Sequence, residues 1–127
     1  GHADGLAGAI SGRKNLQSWA AVNDITVRCD TIEQALAGFD ANGFADMPVR
    51  LLSRGQRRRL ALARLLLAPS SSIWLLDEPH TGLDRDSQIR LETAINVHLE
   101  AGGAVLAATH IDMTASATTI HLVLGLA

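Results

Sequence analysis

The sequence predicts an α/β fold in which a small helical region leads into a core of parallel strands, and three segments carry that prediction. Ile73 to Asp77 is a short apolar run of Ile, Trp and Leu flanked by Ser70-Ser71-Ser72 and Pro79, the pattern of a buried strand. Asp86 to Ala101 sets Leu91, Ala94, Ile95 and Leu99 on one face and is followed by Gly102-Gly103, so it reads as a helix with a glycine stop. Ala104 to Thr109 is apolar again and reads as a second buried strand, and Thr119 to Leu124 fits a third. A strand, helix, strand order with both strands apolar throughout implies parallel pairing in a helix-covered sheet.

Upstream, the texture is polar and interrupted by Gly5, Gly8, Gly12, Gly38 and Gly43, which mark turns between short helical patterns. Lys14 to Val22 places Leu16, Trp19 and Ala20 at helical spacing. Asp30-Thr31-Ile32-Glu33 resembles a capping box with Asp30 as the cap; the helix it opens carries Ala35, Leu36 and Phe39 and is expected to end near Gly43. Met47-Pro48-Val49 is expected to be extended, because the Pro48 ring disfavours helical geometry in the residue before it. Gln56 to Ala68 is dense in Leu, Ala and Arg, all good helix formers, and stops at Pro69. Residues 1–52 therefore read as a helical region and residues 53–127 as the helix and strands that follow it, with no internal repeat and no linker.

Composition bounds the function. The chain has 127 residues, 47% hydrophobic and 19% charged, enough apolar content to bury a core without disulfide or metal staples. A single cysteine, Cys29, excludes an intrachain disulfide and makes a reducing compartment the simpler assumption. No stretch reaches the roughly 18 uninterrupted apolar residues of a membrane span, so any membrane role is expected to be peripheral. The chain opens on Gly1-His2 and its only methionines are Met47 and Met113. The expectation is that an upstream start is missing and that the chain is a fragment.

Ile73-Trp74-Leu75-Leu76-Asp77-Glu78 is four apolar residues followed by two acids. In nucleotide hydrolases a buried strand delivers an Asp to its C-terminal edge, where the carboxylate can hold Mg²⁺ through water and a following Glu can orient an attacking water. A strand ending in a solvated acidic turn explains the hexapeptide equally well. Ser53 and Gln56 fit a capping box at the start of the arginine-rich helix, a reading that needs no ligand. It leaves Gly55 unexplained, since glycine in a first turn weakens a helix by about 1 kcal/mol relative to alanine; there it would let an anion approach the free N–H groups.

Arg57, Arg58, Arg59 and Arg64 follow, with Arg54 just before. The net charge of −2, the absence of tyrosine and the two phenylalanines argue against a nucleic-acid surface and for a solvated, partly phosphate-facing helix side. His110 ends the second strand; a lone histidine there is ordinarily a surface or satisfied core group, but Asp77-Glu78 should emerge on the same sheet edge. His80, His98 and His121 have no metal-ligand spacing with one another or with Cys29, and no G-x-S-x-G elbow is present.

In order, Leu52-Ser53-Arg54-Gly55-Gln56, Leu75-Leu76-Asp77-Glu78-Pro79, Gly82-Leu83-Asp84 and Thr109-His110 resemble the second half of an ABC transporter ATPase: its signature motif, Walker B strand with catalytic glutamate, D-loop and switch histidine. The resemblance is strong from about Leu51 to Met113. It narrows to the haem-export branch that serves cytochrome c maturation through Arg57 to Leu67, Ile73 to Pro79, the opening Gly1-His2-Ala3-Asp4 and Arg13-Lys14-Asn15-Leu16 to Trp19-Ala20, with His2 at the Q-loop position. It implies a partial P-loop NTPase domain: residues 1–52 the helical subdomain, residues 53–127 the signature helix and the C-terminal half of a RecA-like core.

Further implications follow from the family. The cofactors would be ATP and Mg²⁺, with Asp77 holding the metal through water, Glu78 the catalytic base or water-positioner and His110 the sensor of the terminal phosphate. Ser53, Gly55 and Gln56 would meet the nucleotide of a second subunit in a head-to-tail dimer, and Asp84 would cross that interface. Transmembrane permease subunits would meet His2 and the helical region at the cytoplasmic face of the inner membrane. Arg54 departs from the small residue common in the signature, and His80 from the residues common after the proline. No G-x-x-x-x-G-K-[ST] loop exists in the chain, so the chain alone is expected to be inactive. The ATPase subunit of another ABC importer or exporter, a soluble ABC ATPase of DNA repair or translation, and a non-catalytic fragment that lends only a signature surface are the rival readings.

Overall fold

Ser11 opens the first helix, α1 (Gly12–Val22), by accepting a hydrogen bond from the Lys14 N–H at 3.2 Å. This is the start of a computed structural model that describes residues 5–108. His2, His110 and the expected strand at Thr119 to Leu124 lie outside the described residues. Gly12, read from sequence as a turn marker, is helical: a Cβ there would come within 2.6 Å of both Leu60 methyls, so its bare backbone is what lets α1 approach the helix that carries Leu60. Leu16 and Ala20 are buried on the expected face.

The second helix, α2 (Cys29–Gly38), corrects the capping-box expectation. It starts earlier, at Arg28, which offers no side-chain cap, and Asp30 sits in the first turn, where its charge favours the helix N-terminus. Its end is also earlier than Gly43. Asp40 takes φ +51°, the Asp40 N–H donates to Ala37 O at 3.1 Å and the Ala41 N–H to Leu36 O at 2.8 Å. That is a Schellman stop closed by aspartate rather than glycine. Asp24, at φ +56°, ends α1 the same way, with the Ile25 N–H donating to Ala20 O at 2.8 Å.

Pro48 is extended as expected and bridges Ser11, but Val49, expected to be extended with it, instead opens a 3₁₀ turn at Val49–Leu51. The arginine-rich helix, α3 (Arg54–Ala63), begins two residues before the predicted start and tightens into a 3₁₀ turn at Arg64–Leu67 before Pro69. Then come β1 (Ile73–Asp77), α4 (Arg85–Glu100) and β2 (Ala104–Ala108). The strands pair in parallel, Ile73 opposite Ala104 through Asp77 opposite Ala108.

One core cluster joins α1, α2, α3, β1 and α4, with Leu16, Leu36, Phe39, Leu60 and Leu91 fully buried in it. Trp74 and Leu76 point into it from β1, and the Trp74 ring stacks on His98 of α4, centroids 4.1 Å apart. His98 Nε2 lies 2.8 Å from Ser72 O, so this histidine is a satisfied core group. The expectation of two strands buried throughout fails among the described residues. β1 alternates exposed and buried, because α4 lies on the Trp74 face alone, and Ile73 and Leu75 are left open to solvent.

Candidate functional site

Asp77 ends β1 and is exposed, at the C-terminal edge of the parallel pair where open α/β sheets bind ligands. Glu78 turns the chain sharply at φ +45°, a left-handed conformation costly for a residue with a side chain. The surroundings hold it there. Its N–H donates to Ala108 O at 2.7 Å, and its carbonyl accepts from the Thr81 N–H at 3.1 Å and from Arg58 Nη2 at 3.2 Å. The two acids are thus presented on consecutive residues by a backbone pinned to β2 on one side and to α3 on the other.

Ser53 caps α3 in the predicted reciprocal box: its hydroxyl accepts from the Gln56 N–H at 3.1 Å and its own N–H donates to Gln56 Oε1 at 2.9 Å. The Gln56 side chain is therefore occupied by the cap. Gly55 has nothing within 4 Å of a would-be Cβ, so no contact inside this chain requires a glycine there. Ser53 and Arg54 are exposed beside it. The tip of α3 is an open helix N-terminus whose smallest residue is unexplained from within.

Asp84 caps α4, its Oδ1 accepting from the Ser87 N–H at 2.8 Å. Hydrogen bonds from Ser87, and after them the charge of Arg59, hold the Asp84 carboxyl below its ordinary 3.8. Arg59 was expected to be solvated and is not. Its side chain is 18% exposed, with Nε donating to Ser87 Oγ at 2.8 Å, Nη2 to Asp84 Oδ2 at 3.0 Å and Nη1 to Asp40 O at 3.5 Å. Arg57 Nε donates to Leu52 O at 3.2 Å. The arginine run is an internal brace that ties the capped helix to the acidic turn, to the cap of α4 and to the end of α2.

Arg58 and Arg59 are the residues that sequence reasoning missed, since their partners lie 20 and 25 positions away. His80 also gains a place: its side chain is 9% exposed, Nε2 is 3.8 Å from Glu92 Oε1, and Nδ1 is buried with no hydrogen-bond partner. The structure brings Glu78, Asp84 and α3 together through Arg58 and Arg59. Both His2 and His110 lie outside the described residues.

A parallel pair whose strand ends in acids, framed by helices, is a partial P-loop NTPase fold. The chain belongs to the ABC transporter family, whose model matches residues 3–81. It is 47% identical over 112 residues to the cytochrome c biogenesis ATP-binding export protein CcmA of Rhodobacter capsulatus, across 88% of this chain and 50% of that protein. To the protein of the same name from Ruegeria pomeroyi it is 44% identical over 125 residues, across 96% and 57%. The chain thus spans about half the length of these curated relatives. Among solved structures, a putative ABC transporter ATP-binding protein from Pyrococcus furiosus superposes with a TM-score of 0.70 at 25% identity, over 84% of this chain and 52% of that one. The ATP-binding cassette MJ0796, in a dimeric post-hydrolysis state bound to ADP and Pi, superposes at 0.73 with 22% identity, over 85% and 49%; at that identity it speaks for the fold alone.

Proposed function

We propose that this chain is the C-terminal part of the nucleotide-binding domain of an ABC transporter ATPase, with residues 1–52 its helical subdomain and residues 53–127 its signature helix and half of its core. The intact protein would hydrolyse Mg-ATP to drive export for cytochrome c maturation, with haem as the cargo. The observation that carries the reading is the acidic pair: β1 ends in an exposed Asp77, and Glu78 is held in a left-handed turn by β2 and α3. A non-glycine residue held at positive φ at a strand end supports the reading of a positioned functional group over that of a solvated turn.

The residues present fit both cofactors. Asp77, exposed at the strand end, suits a water-mediated contact to Mg²⁺; the open tip of α3, with Ser53 and the unobstructed Gly55, suits phosphate oxygens. Bound Mg²⁺ would supply charge neutralisation on the phosphates. Glu78 would orient or deprotonate the attacking water. Gln56 would hold Ser53 in place through the capping box, and Ser53 and Gly55 would serve the nucleotide of a second subunit, head to tail. Asp84 would reach that interface, and His110 would sense the terminal phosphate. His2 and the helical subdomain would meet permease subunits at the cytoplasmic face of the inner membrane, where the protein would be peripheral.

Replacing Glu78 by Gln in the intact protein is expected to abolish ATP turnover while leaving nucleotide binding, because the carboxylate is needed for the water and not for the phosphates. Turnover that survives the change overturns the reading. The 127-residue chain alone is expected to show no stoichiometric Mg-ATP binding by calorimetry, since it contains no phosphate loop with its lysine and backbone cradle.

A further inference from the structure

Glu78 opens a turn that runs to Leu83, after which Asp84 caps α4. Both ends of the turn are fixed. Glu78 is held by β2 and α3, and at the far end Leu83 is buried and its carbonyl accepts from Gln88 Nε2 at 3.1 Å. Within the turn the Thr81 N–H donates to Glu78 O at 3.1 Å and the Leu83 N–H to His80 O at 3.2 Å. Thr81 is exposed, and Gly82, at φ +77°, has open space around it. Between Pro79 and Leu83 the side chain that enters the interior is therefore His80, 9% exposed.

An imidazole is a poor filler for that place. Its Nδ1 is buried with no hydrogen-bond partner, a cost that an apolar ring would avoid. The other nitrogen is placed differently: Nε2 lies 3.8 Å from Oε1 of Glu92 on α4. That separation is too long for a hydrogen bond and short enough for electrostatic attraction. The tautomer follows from the surroundings. A proton on Nδ1 would be a buried donor without an acceptor, so in the neutral ring the proton belongs on Nε2, which has a carboxylate before it. The neighbouring charged groups are engaged elsewhere: Arg59 with Asp84, Arg90 with Asp86, and Arg58 with the Glu78 carbonyl.

We propose that His80 is a positioning residue: through Nε2 and Glu92 its ring ties the turn that follows the acidic pair to α4, and so fixes Glu78 and Asp84 relative to each other. The inference deepens the ATPase reading above and rests on it. In that reading Glu78 presents a carboxylate to water and Asp84 reaches the subunit interface, and residues 79–83 are the only covalent link between them. A tie in the middle of the link keeps the movement of one end from being absorbed at Gly82. His80 itself touches neither nucleotide nor water; it acts through the backbone of the turn.

The test is amide hydrogen exchange in the turn, read by NMR on the 127-residue chain. His80→Phe keeps a ring and removes both nitrogens, Glu92→Ala keeps the histidine and removes its partner, and His80→Gln puts an amide N–H near the place of Nε2. The Thr81 and Leu83 amides are expected to exchange about threefold to tenfold faster in the first two variants, with the Leu91 and Ile95 amides of α4 unchanged. The double variant of His80→Phe and Glu92→Ala is expected to be no faster than either single one, the mark of a shared interaction, and His80→Gln to recover most of the protection. Long-range proton–nitrogen spectra are expected to place the proton of the neutral ring on Nε2. Unchanged or slower exchange in His80→Phe overturns the proposal, because the ring then only packs; additive effects in the double variant, or a neutral ring protonated on Nδ1, overturn it too. Should His80→Phe also loosen Leu91 and Ile95, Glu92→Ala decides, and turn protection equal to that of the unaltered chain overturns it. In the intact protein His80→Phe is expected to lower kcat about threefold to tenfold at unchanged KM, and His80→Gln to recover it. A kcat that stays put while the turn loosens overturns the positioning role. Exchange is read without nucleotide, so the two readings fail separately: turnover that survives Glu78→Gln sinks the ATPase reading whatever the exchange shows.

Discussion

Arg59 shows how much of the site is held by one side chain. Its guanidinium joins α3 to the cap of α4 and to the Schellman end of α2, and its strongest partner by distance is the hydroxyl of Ser87, which is 1% exposed. Removing the donor leaves a buried polar group short of a partner, which costs about 1–3 kcal/mol. Arg59→Ala is therefore expected to lower the unfolding free energy measured in urea by that much, and Arg59→Lys to recover only part, because a lysine cannot reproduce the planar fork. Asp84, on the same brace, is held below its ordinary value of 3.8 by Ser87 and then Arg59. A depressed carboxyl contributes stability that is present above the unfolded value and lost as pH falls through the folded one. Acid titration of stability is expected to show this loss below about pH 4, and Asp84→Asn to remove that part of the slope; an unchanged slope refutes the assignment. Local structure was legible from sequence, as with the capping box of Ser53 and Gln56 and the strand that ends at Asp77. The partners of Arg58 and Arg59 were not, because a run of arginines on a helix looks the same whether it faces solvent or a neighbouring element.

At the scale of elements, every segment that the pattern marked as helix or strand within residues 5–108 exists, and the errors are at ends. One has a plain cause. Gly43 was taken as the stop signal of α2, whereas α2 stops at Asp40, as α1 stops at Asp24, short polar residues that tolerate the left-handed region. α4 does stop at glycine: Gly102 takes φ +98°, and the Gly103 N–H donates to His98 O at 3.0 Å. A Cβ on Gly103 would overlap the His98 ring, which is stacked on Trp74. Gly103→Ala is thus expected to destabilise by about 1–3 kcal/mol, the usual range for overpacking. Gly55→Ala should do the reverse. With open space around it and helical backbone, the alanine is expected to raise stability by up to about 1 kcal/mol. On the proposed reading it is expected to lower ATP turnover in the intact protein, because the methyl would stand where a partner's nucleotide would approach. A variant that is both more stable and fully active would remove Gly55 from the site.

Across the whole molecule, the sequence divides into a helical half and a strand-bearing half, while the core does not. Leu16, Leu36 and Phe39 from the first half pack in one cluster with Leu60, Trp74 and Leu91 from the second, and Arg90 reaches from α4 to the carbonyls of Ala37 and Gly38 at 3.3 and 3.4 Å. Periodicity reports which face of an element is apolar and not which element it meets. It could not show that the two halves share one interior, nor that, among the described residues, the apolar strands would be covered on one face only. A shared interior makes the halves unfold together. The chain has two tryptophans, Trp19 in α1 and Trp74 in β1, one in each half. Trp74→Phe is a mild change because the indole nitrogen has no hydrogen-bond partner to lose, and Trp19→Phe alters only a half-buried ring. Each single-tryptophan variant reports the half it retains. Fluorescence and far-UV CD melts in urea are expected to coincide within each variant, as a single cooperative unit requires. A Trp19 signal that melts separately from the CD transition would show that the helical half folds on its own and that the common core does not couple it to the strands carrying Asp77 and Glu78.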